Sequence, residues 1–102
     1  MLELRPTCEN CNQALPPHSP DARICSYECT FCAMCVEDVL FNVCPNCGGG
    51  FVPRPIRPSK NWKGNNFLGN DPPSTTIKHR PVHPKAHAEF AAAIRMIPPA
   101  ER

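Results

Sequence analysis

Eight cysteines, all in the first half of a 102-residue chain, set the strongest limit on what this sequence can fold into. They are Cys8, Cys11, Cys25, Cys29, Cys32, Cys35, Cys44 and Cys47. A chain this short has room for one modest domain, and such domains usually need disulfides or metals to hold together. Fourteen prolines against five phenylalanines, one tryptophan and one tyrosine leave little material for a large apolar core. An even cysteine count reads as a secreted disulfide framework or as metal sites. The opening Met1-Leu-Glu-Leu-Arg-Pro-Thr-Cys8 has no basic stretch followed by an apolar one, so no signal peptide is visible. No run approaches the ~18 apolar residues of a membrane span. A cytoplasmic chain with reduced thiols and no membrane partner is therefore expected, which favours metal.

The spacing sharpens this reading. Cys8-x2-Cys11 is followed after thirteen residues by Cys25-x3-Cys29, then by Cys32-x2-Cys35 and, eight residues on, Cys44-x2-Cys47. A two-residue gap lets both sulfurs of a tight turn face one ion, and two such pairs complete a tetrahedron with Zn–S bonds of about 2.3 Å. In Cys44-Pro-Asn-Cys47-Gly48, proline fixes φ and glycine permits positive φ behind the second ligand. Four sulfurs per ion leave no position for water, so two structural Zn²⁺ sites are expected, and no catalytic one. Four pairs can be joined in three ways: sequentially, as an interleaved cross-brace, or first pair to last. Spacing alone leaves the three open.

Charge divides the chain. Residues 1–50 carry two basic and six acidic side chains, net −4, and residues 51–102 carry nine against three, net +6. The halves should attract each other unless the basic half has another anionic partner. Three segments follow: a cysteine module at 1–52, a Pro-rich basic linker at 53–82, and an amphipathic helix at 83–97. In the linker, Pro53, Pro55, Pro58, Pro72, Pro73 and Pro81 remove donors, and Gly64, Asn65, Asn66, Gly69 and Asn70 favour turns. Trp62, Phe67 and Leu68 form a small apolar group there that could fold back onto the module. In the helix, Pro84 suits the first turn, Ala86, Phe90, Ala93, Ile94 and Ile97 recur on one face, and Pro98 and Pro99 stop the run. Fifteen residues make a marginal helix alone, so the stripe needs a surface: its own module, a second copy, or a partner.

The run Cys25-Ser-Tyr-Glu-Cys29-Thr-Phe-Cys32-Ala-Met-Cys35, with Cys44-Pro-Asn-Cys47 after it, resembles the RING-finger pattern, in which a ligand, an aromatic and a Cys-x-x-Cys pair open a short helix. The resemblance implies a small zinc-stabilised α+β module with a RING-like cross-brace. Site one would use Cys8, Cys11, Cys32 and Cys35, and site two Cys25, Cys29, Cys44 and Cys47. Phe31 would be the buried aromatic, Val36, Val39 and Leu40 would face inward from a helix starting near Cys35, and Ile24 and Tyr27 would lie on the hairpin of site two. The chain is also similar to a short bacterial family catalogued only as a domain of unknown function (number 1272). The likeness runs from Met1-Leu-Glu-Leu-Arg-Pro through Leu15-Pro-Pro, Ala22-Arg-Ile-Cys25-Ser, Glu28-Cys-Thr-Phe-Cys32 and Cys44-Pro-Asn-Cys-Gly-Gly49 to Arg54-Pro-Ile-Arg-Pro58. It implies a bacterial cytosolic zinc protein and carries no activity across.

Ubiquitin-ligase activity is not expected. Cys29 stands where histidine is usual, three residues separate it from Cys25 where ligases have one, Glu9 replaces an apolar contact, and Gly48 replaces a basic residue; Pro45 alone agrees. No other constellation points to an enzyme. A closed zinc module suits protein–protein interaction, with the terminal helix as a contact or a means of self-association. Two alternatives stand beside it. One is nucleic-acid binding through Arg54, Arg57, Lys60, Lys63, Lys78, Arg80 and Lys85, with Trp62 and Phe67 stacking on bases. The other is a thiol-based redox or zinc sensor. His79, His83 and His87 are spaced by four, but Pro81 and Pro84 interrupt any helical ladder, and His18 lies in a proline-rich turn.

Overall fold

A three-stranded sheet of very short strands sits at the centre of the computed structural model, which describes residues 1–102. Strand β1 (Ala22–Ile24) lies between β2 (Thr30–Cys32) and β3 (Val52–Pro53), antiparallel to both. β1 and β2 form a hairpin that pairs Arg23 with Phe31, and its turn carries Tyr27 at the surface and Glu28 at positive φ. Cys32 ends β2 and opens helix α1 (Ala33–Cys35), its sulfur accepting from the Cys35 amide as an N-cap. The helix widens at once into a π-helical turn, Val36–Leu40, which Phe41 closes in the left-handed conformation.

This short helical segment supplies most of the apolar packing. Phe31, Val36 and Leu40 are buried, and Val39 is half-buried against them. Phe51 meets Phe31 edge-to-face, with ring centroids 5.4 Å apart. Yet six of the eleven residues in the continuous core are cysteines. With so little hydrocarbon inside, the core cannot hold the fold by apolar burial alone.

The C-terminal helix α2 spans Pro84–Ile94 and packs on the π-helical turn. It starts from His83, whose Nδ1 accepts from the Ala86 amide, with Pro84 in the first turn. Its buried face differs from the stripe expected from hydrophobic spacing. His87 and Ala91 are buried and Ile94 is half-buried, while Ala86 and Ala93 face outward and Phe90, 47% exposed, lies at the edge of the contact beside Gly48. The face is turned by about one residue, or ~100°. The cause is a polar anchor: His87 Nε2 bonds the Leu40 carbonyl at 2.9 Å, and Ala91 is small enough to let the helix lie close. Ile97 lies beyond the helix end and is half-exposed.

The proline-rich segment before α2 carries no helix and only the β3 residues in a strand, but it is not loose. Its backbone amides fasten it along the N-terminal residues, Ser74 N to Glu3 O (3.0 Å), Arg80 N to Glu9 O (2.7 Å) and Val82 N to the side-chain Oδ1 of Asn10 (2.9 Å). Two arginines placed among the nucleic-acid candidates act as struts. The guanidinium of Arg54, 5% exposed, donates to the carbonyls of Arg5 (2.9 Å), Leu15 (3.1 Å) and Pro16 (3.1 Å). Arg57 donates to Leu2 O and Asp71 O, both at 2.8 Å. Burial pulls the Arg54 pKa below its ordinary value, and no carboxylate faces it. The basic half therefore meets the acidic half through carbonyl oxygens, since the only ion pairs join Arg5 to Glu3 and Glu9. The expected cluster of Trp62, Phe67 and Leu68 is also divided: Phe67 and Leu68 are half-buried, while Trp62 projects into solvent.

Replacing Arg54 by methionine should lower unfolding stability by about 2–4 kcal/mol, because three carbonyls lose a charged donor while the volume is kept. Lys60→Met, on the exposed loop, should change it by no more than about 0.5 kcal/mol. Guanidinium chloride midpoints at a fixed metal concentration check both.

Candidate metal centre

Both Cys-x-Asn-Cys turns of this chain fold the same way. In Cys8-Glu-Asn-Cys11, the residue behind the second cysteine, Asn12, has φ +64° and its amide returns to Cys8 O at 2.9 Å. In Cys44-Pro-Asn-Cys47, Gly48 has φ +77° and its amide returns to Cys44 O at 2.8 Å. Asparagine and glycine are the residues that tolerate this left-handed position. Each turn thereby aims two sulfurs to the same side.

The turns bring distant pairs together. The sulfurs of Cys8, Cys11, Cys32 and Cys35 lie mutually within 4.8 Å, so the first pair meets the third. Those of Cys25, Cys44 and Cys47 do the same, so the second pair's leading cysteine meets the fourth pair. Cys29 stands at the edge of this second group. Its thiol contacts those of Cys25 and Cys44 but lies outside the mutual 4.8 Å limit. Cys11 and Cys47 are exposed and the other six cysteines buried.

The first group fits a tetrahedral ion. With metal–sulfur bonds of about 2.3 Å, the zinc value, the edges of the tetrahedron are about 3.8 Å. Cys11 Sγ lies 3.8 Å from Cys32 Sγ. Donors surround the sulfurs: backbone amides of Tyr27, Cys35 and Gly49 reach Cys25 (3.3 Å), Cys32 (3.4 Å) and Cys47 (3.4 Å). Hydrogen bonds of this kind favour a thiolate over a thiol. Burial acts in the opposite sense and pushes the Cys29, Cys32, Cys35 and Cys44 thiols up, strongly for Cys35 and Cys44. At Cys11 burial also pushes up, but the Gln13 amide and the thiols of Cys8, Cys35 and Cys32 outweigh it and bring that thiol down. A divalent cation would supply the charge that buried thiolates need.

Two asparagines that cysteine counting passes over complete the shell. Asn10 Nδ2 donates to Cys35 Sγ at 3.3 Å, and Asn46 Nδ2 to Cys29 Sγ at 3.4 Å. Each occupies the third position of its turn and reaches across to a sulfur of the pair that its own pair meets. The repeated Cys-x-Asn-Cys was the available signal. Asn10 also links the cluster to the arm: its Oδ1 accepts from Val82 N, and its carbonyl meets His79 Nε2 at 3.1 Å. Glu9, which stands where the RING pattern has an apolar contact residue, is buried. Its Oε2 accepts from Arg5 Nη1 (2.8 Å) and the Thr30 amide (2.6 Å), which ties the first turn to the hairpin. His79, His83 and His87 each bind a different backbone group and form no cluster.

The fold and the paired thiol groups define a small α+β protein with two cysteine clusters able to hold metal ions, followed by a C-terminal helix. The chain belongs to the family described as "Protein of unknown function (DUF1272)", which it matches over residues 1–57. It is similar to "Uncharacterized protein R02474" of Rhizobium meliloti (strain 1021), 59% identical over 63 residues that cover 62% of this chain and 75% of that protein. No solved structure matches it. No helix is long and apolar enough to cross a membrane.

Asn10→Ala and Asn46→Ala should each weaken metal binding about 10–100-fold while leaving the ion count unchanged. Competition against a chromophoric chelator measures this. Because the raised thiols must lose protons to bind, metal uptake should release protons, and affinity should fall steadily as pH drops from 8 to 5. Retention of metal through that range without loss of affinity would contradict the thiolate assignment.

Proposed function

We propose that this protein is a structural two-zinc module with a RING-like cross-brace, acting as a rigid, non-catalytic scaffold for contact with another protein. The observation that carries the reading is the mutual approach of Cys8, Cys11, Cys32 and Cys35 to within 4.8 Å, with Cys11 Sγ and Cys32 Sγ 3.8 Å apart, the edge of a zinc tetrahedron. An all-sulfur tetrahedral set selects zinc or an iron–sulfur centre among biological metals, and single-ion sites with short Cys-x-x-Cys turns are characteristic of zinc. Site two would take Cys25, Cys44 and Cys47 with Cys29 as its fourth ligand, drawn inward by a small movement.

Four thiolates saturate each ion, which leaves no coordination position for a substrate or an activated water. The chemistry of such a site is mechanical: it pins residues 8–11 to 32–35 and residues 25–29 to 44–47. Structural zinc contributes on the order of 10–16 kcal/mol of folding free energy in small domains, enough to replace the missing apolar core. A scaffold of this kind presents its surface to a partner. The outer side of α2 and the segment after it expose Phe90, Met96 and Ile97, an apolar strip that binding would cover.

Elemental analysis should find two zinc ions per chain, and a strong chelator should abolish the ordered circular dichroism spectrum. One ion per chain, or a spectrum indifferent to chelation, would overturn the two-site reading. For the scaffold role, Phe90→Asp should abolish partner capture from native cells while keeping both ions. Undiminished capture would place the contact elsewhere on the module.

A further inference from the structure

The loop formed by residues 58–71 lies outside the family match and holds none of the cysteines, so it stands apart from the metal reading. It is well built. The Leu68 amide closes it onto Pro58 O at 2.9 Å, and Arg57 anchors its far end through Asp71 O. Inside, the Asn65 amide donates to Asn61 Oδ1 at 3.0 Å, and Asn66 binds Lys63 O through both its backbone and side-chain nitrogens. Gly64 and Asn65 take positive φ, which makes the turn sharp. The Phe67 ring closes over Gly69 and leaves no room there for a Cβ.

Within this clasped loop the indole of Trp62 is 78% exposed. A tryptophan that could lie beside Phe67 is held outward by the asparagine turn around it. Lys60 and Lys63 flank it, both exposed, and the loop's one carboxylate, Asp71, lies at its anchored end, nine residues from Trp62 in sequence. An exposed aromatic face between cations, set among amides, suits a base stacked on the indole with neighbouring phosphates on the lysines. A membrane surface would need more apolar depth than one indole ringed by asparagines. Duplex nucleic acid keeps its base faces stacked away from the indole, whereas a single strand offers them.

We propose that residues 58–71 form a contact site for single-stranded nucleic acid, with Trp62 as the stacking platform and Lys60 and Lys63 as the phosphate contacts. Arg54 and Arg57 take no part, being committed to backbone carbonyls.

Trp62 is the only tryptophan, so its fluorescence reports the site directly. Titrating the metal-loaded full chain with oligothymidylate should quench the emission saturably. The logarithm of affinity should fall with the logarithm of salt concentration with a slope of about −1.4, for two phosphates on a single strand. By anisotropy of a labelled oligonucleotide, Trp62→Ala should bind about tenfold or more weakly, Trp62→Phe should retain most of the affinity, and Lys60→Gln with Lys63→Gln should flatten the salt slope. Metal content and circular dichroism confirm that the variants fold. Emission unaffected by the oligonucleotide, a blue shift given by phosphatidylserine vesicles in its place, or unchanged affinity of Trp62→Ala would each overturn the proposal.

Discussion

The rest of this small fold depends on the sulfurs of cysteine pairs that are not neighbours in sequence gathering around a common centre. Bringing Cys8 and Cys11 against Cys32 and Cys35 closes a loop of more than twenty residues, which costs conformational entropy that only a strong interaction can offset. The apolar residues available, chiefly Leu15, Phe31, Val36 and Leu40, are too few for that task, and cysteines make up the larger part of the core. Thiols packed together without a cation gain little from one another, and burial holds them protonated. A divalent ion reverses this balance, because each sulfur then bonds a positive centre at short range.

From that centre the structure extends outward through a few polar side chains. Asn10 touches a sulfur with its amide nitrogen and the Val82 amide with its oxygen, so the geometry of one thiol cluster is passed to the arm immediately before α2. The second cluster is passed on in a different way. Gly48 lies under Phe90 and Ile94, and the Arg102 guanidinium bonds the carbonyls of Asn42 (2.7 Å) and Gly48 (3.1 Å). The helix is thus seated on the knuckle that carries Cys44 and Cys47, and His87 holds it to the neighbouring turn. Arg54 and Glu9 do similar work at the base of the module, both buried, Arg54 satisfied by backbone carbonyls and Glu9 by the Thr30 amide and the Arg5 guanidinium.

Local features were the legible ones. Short cysteine spacings, Pro45 and Gly48 describe turns that a few adjacent residues settle among themselves, and Pro84 to Pro98 bounds a helix by rules that act over one turn. The RING resemblance assigned Phe31, Val36 and Leu40 to the interior, and all three are buried, because the order of strand, ligand pair and short helix around Cys32 and Cys35 is itself local. The readings that failed depended on partners far away in sequence. Hydrophobic spacing put Phe90 on the inner face of α2, but His87 finds a carbonyl forty-seven residues earlier and turns the helix toward it. Arg54 looked like a surface cation until its three carbonyl acceptors, thirty-eight to forty-nine residues away, were in view. From the sequence, Trp62 suits both a packing cluster with Phe67 and Leu68 and a stacking role, and only the packing reading failed, because nothing in its neighbourhood reveals that Asn61 and Asn65 clasp each other beside it.

By itself, the sequence determined that this chain has four closely spaced cysteine pairs, a proline-broken arm and one C-terminal helix, since each of these follows from spacing and backbone stereochemistry within a few residues. Spacing left open which pairs meet, because any two turns of this kind can complete a tetrahedron. Tertiary structure decided it: the β1–β2 hairpin places Cys25 and Cys32 at its two ends, so that Cys32 and Cys35 face the first turn while Cys25 faces the last. Tertiary structure also decided where the basic half goes. Arg54 and Arg57 lie against carbonyl oxygens of the N-terminal residues, which the chain can offer only after the cysteine turns have brought those residues into place.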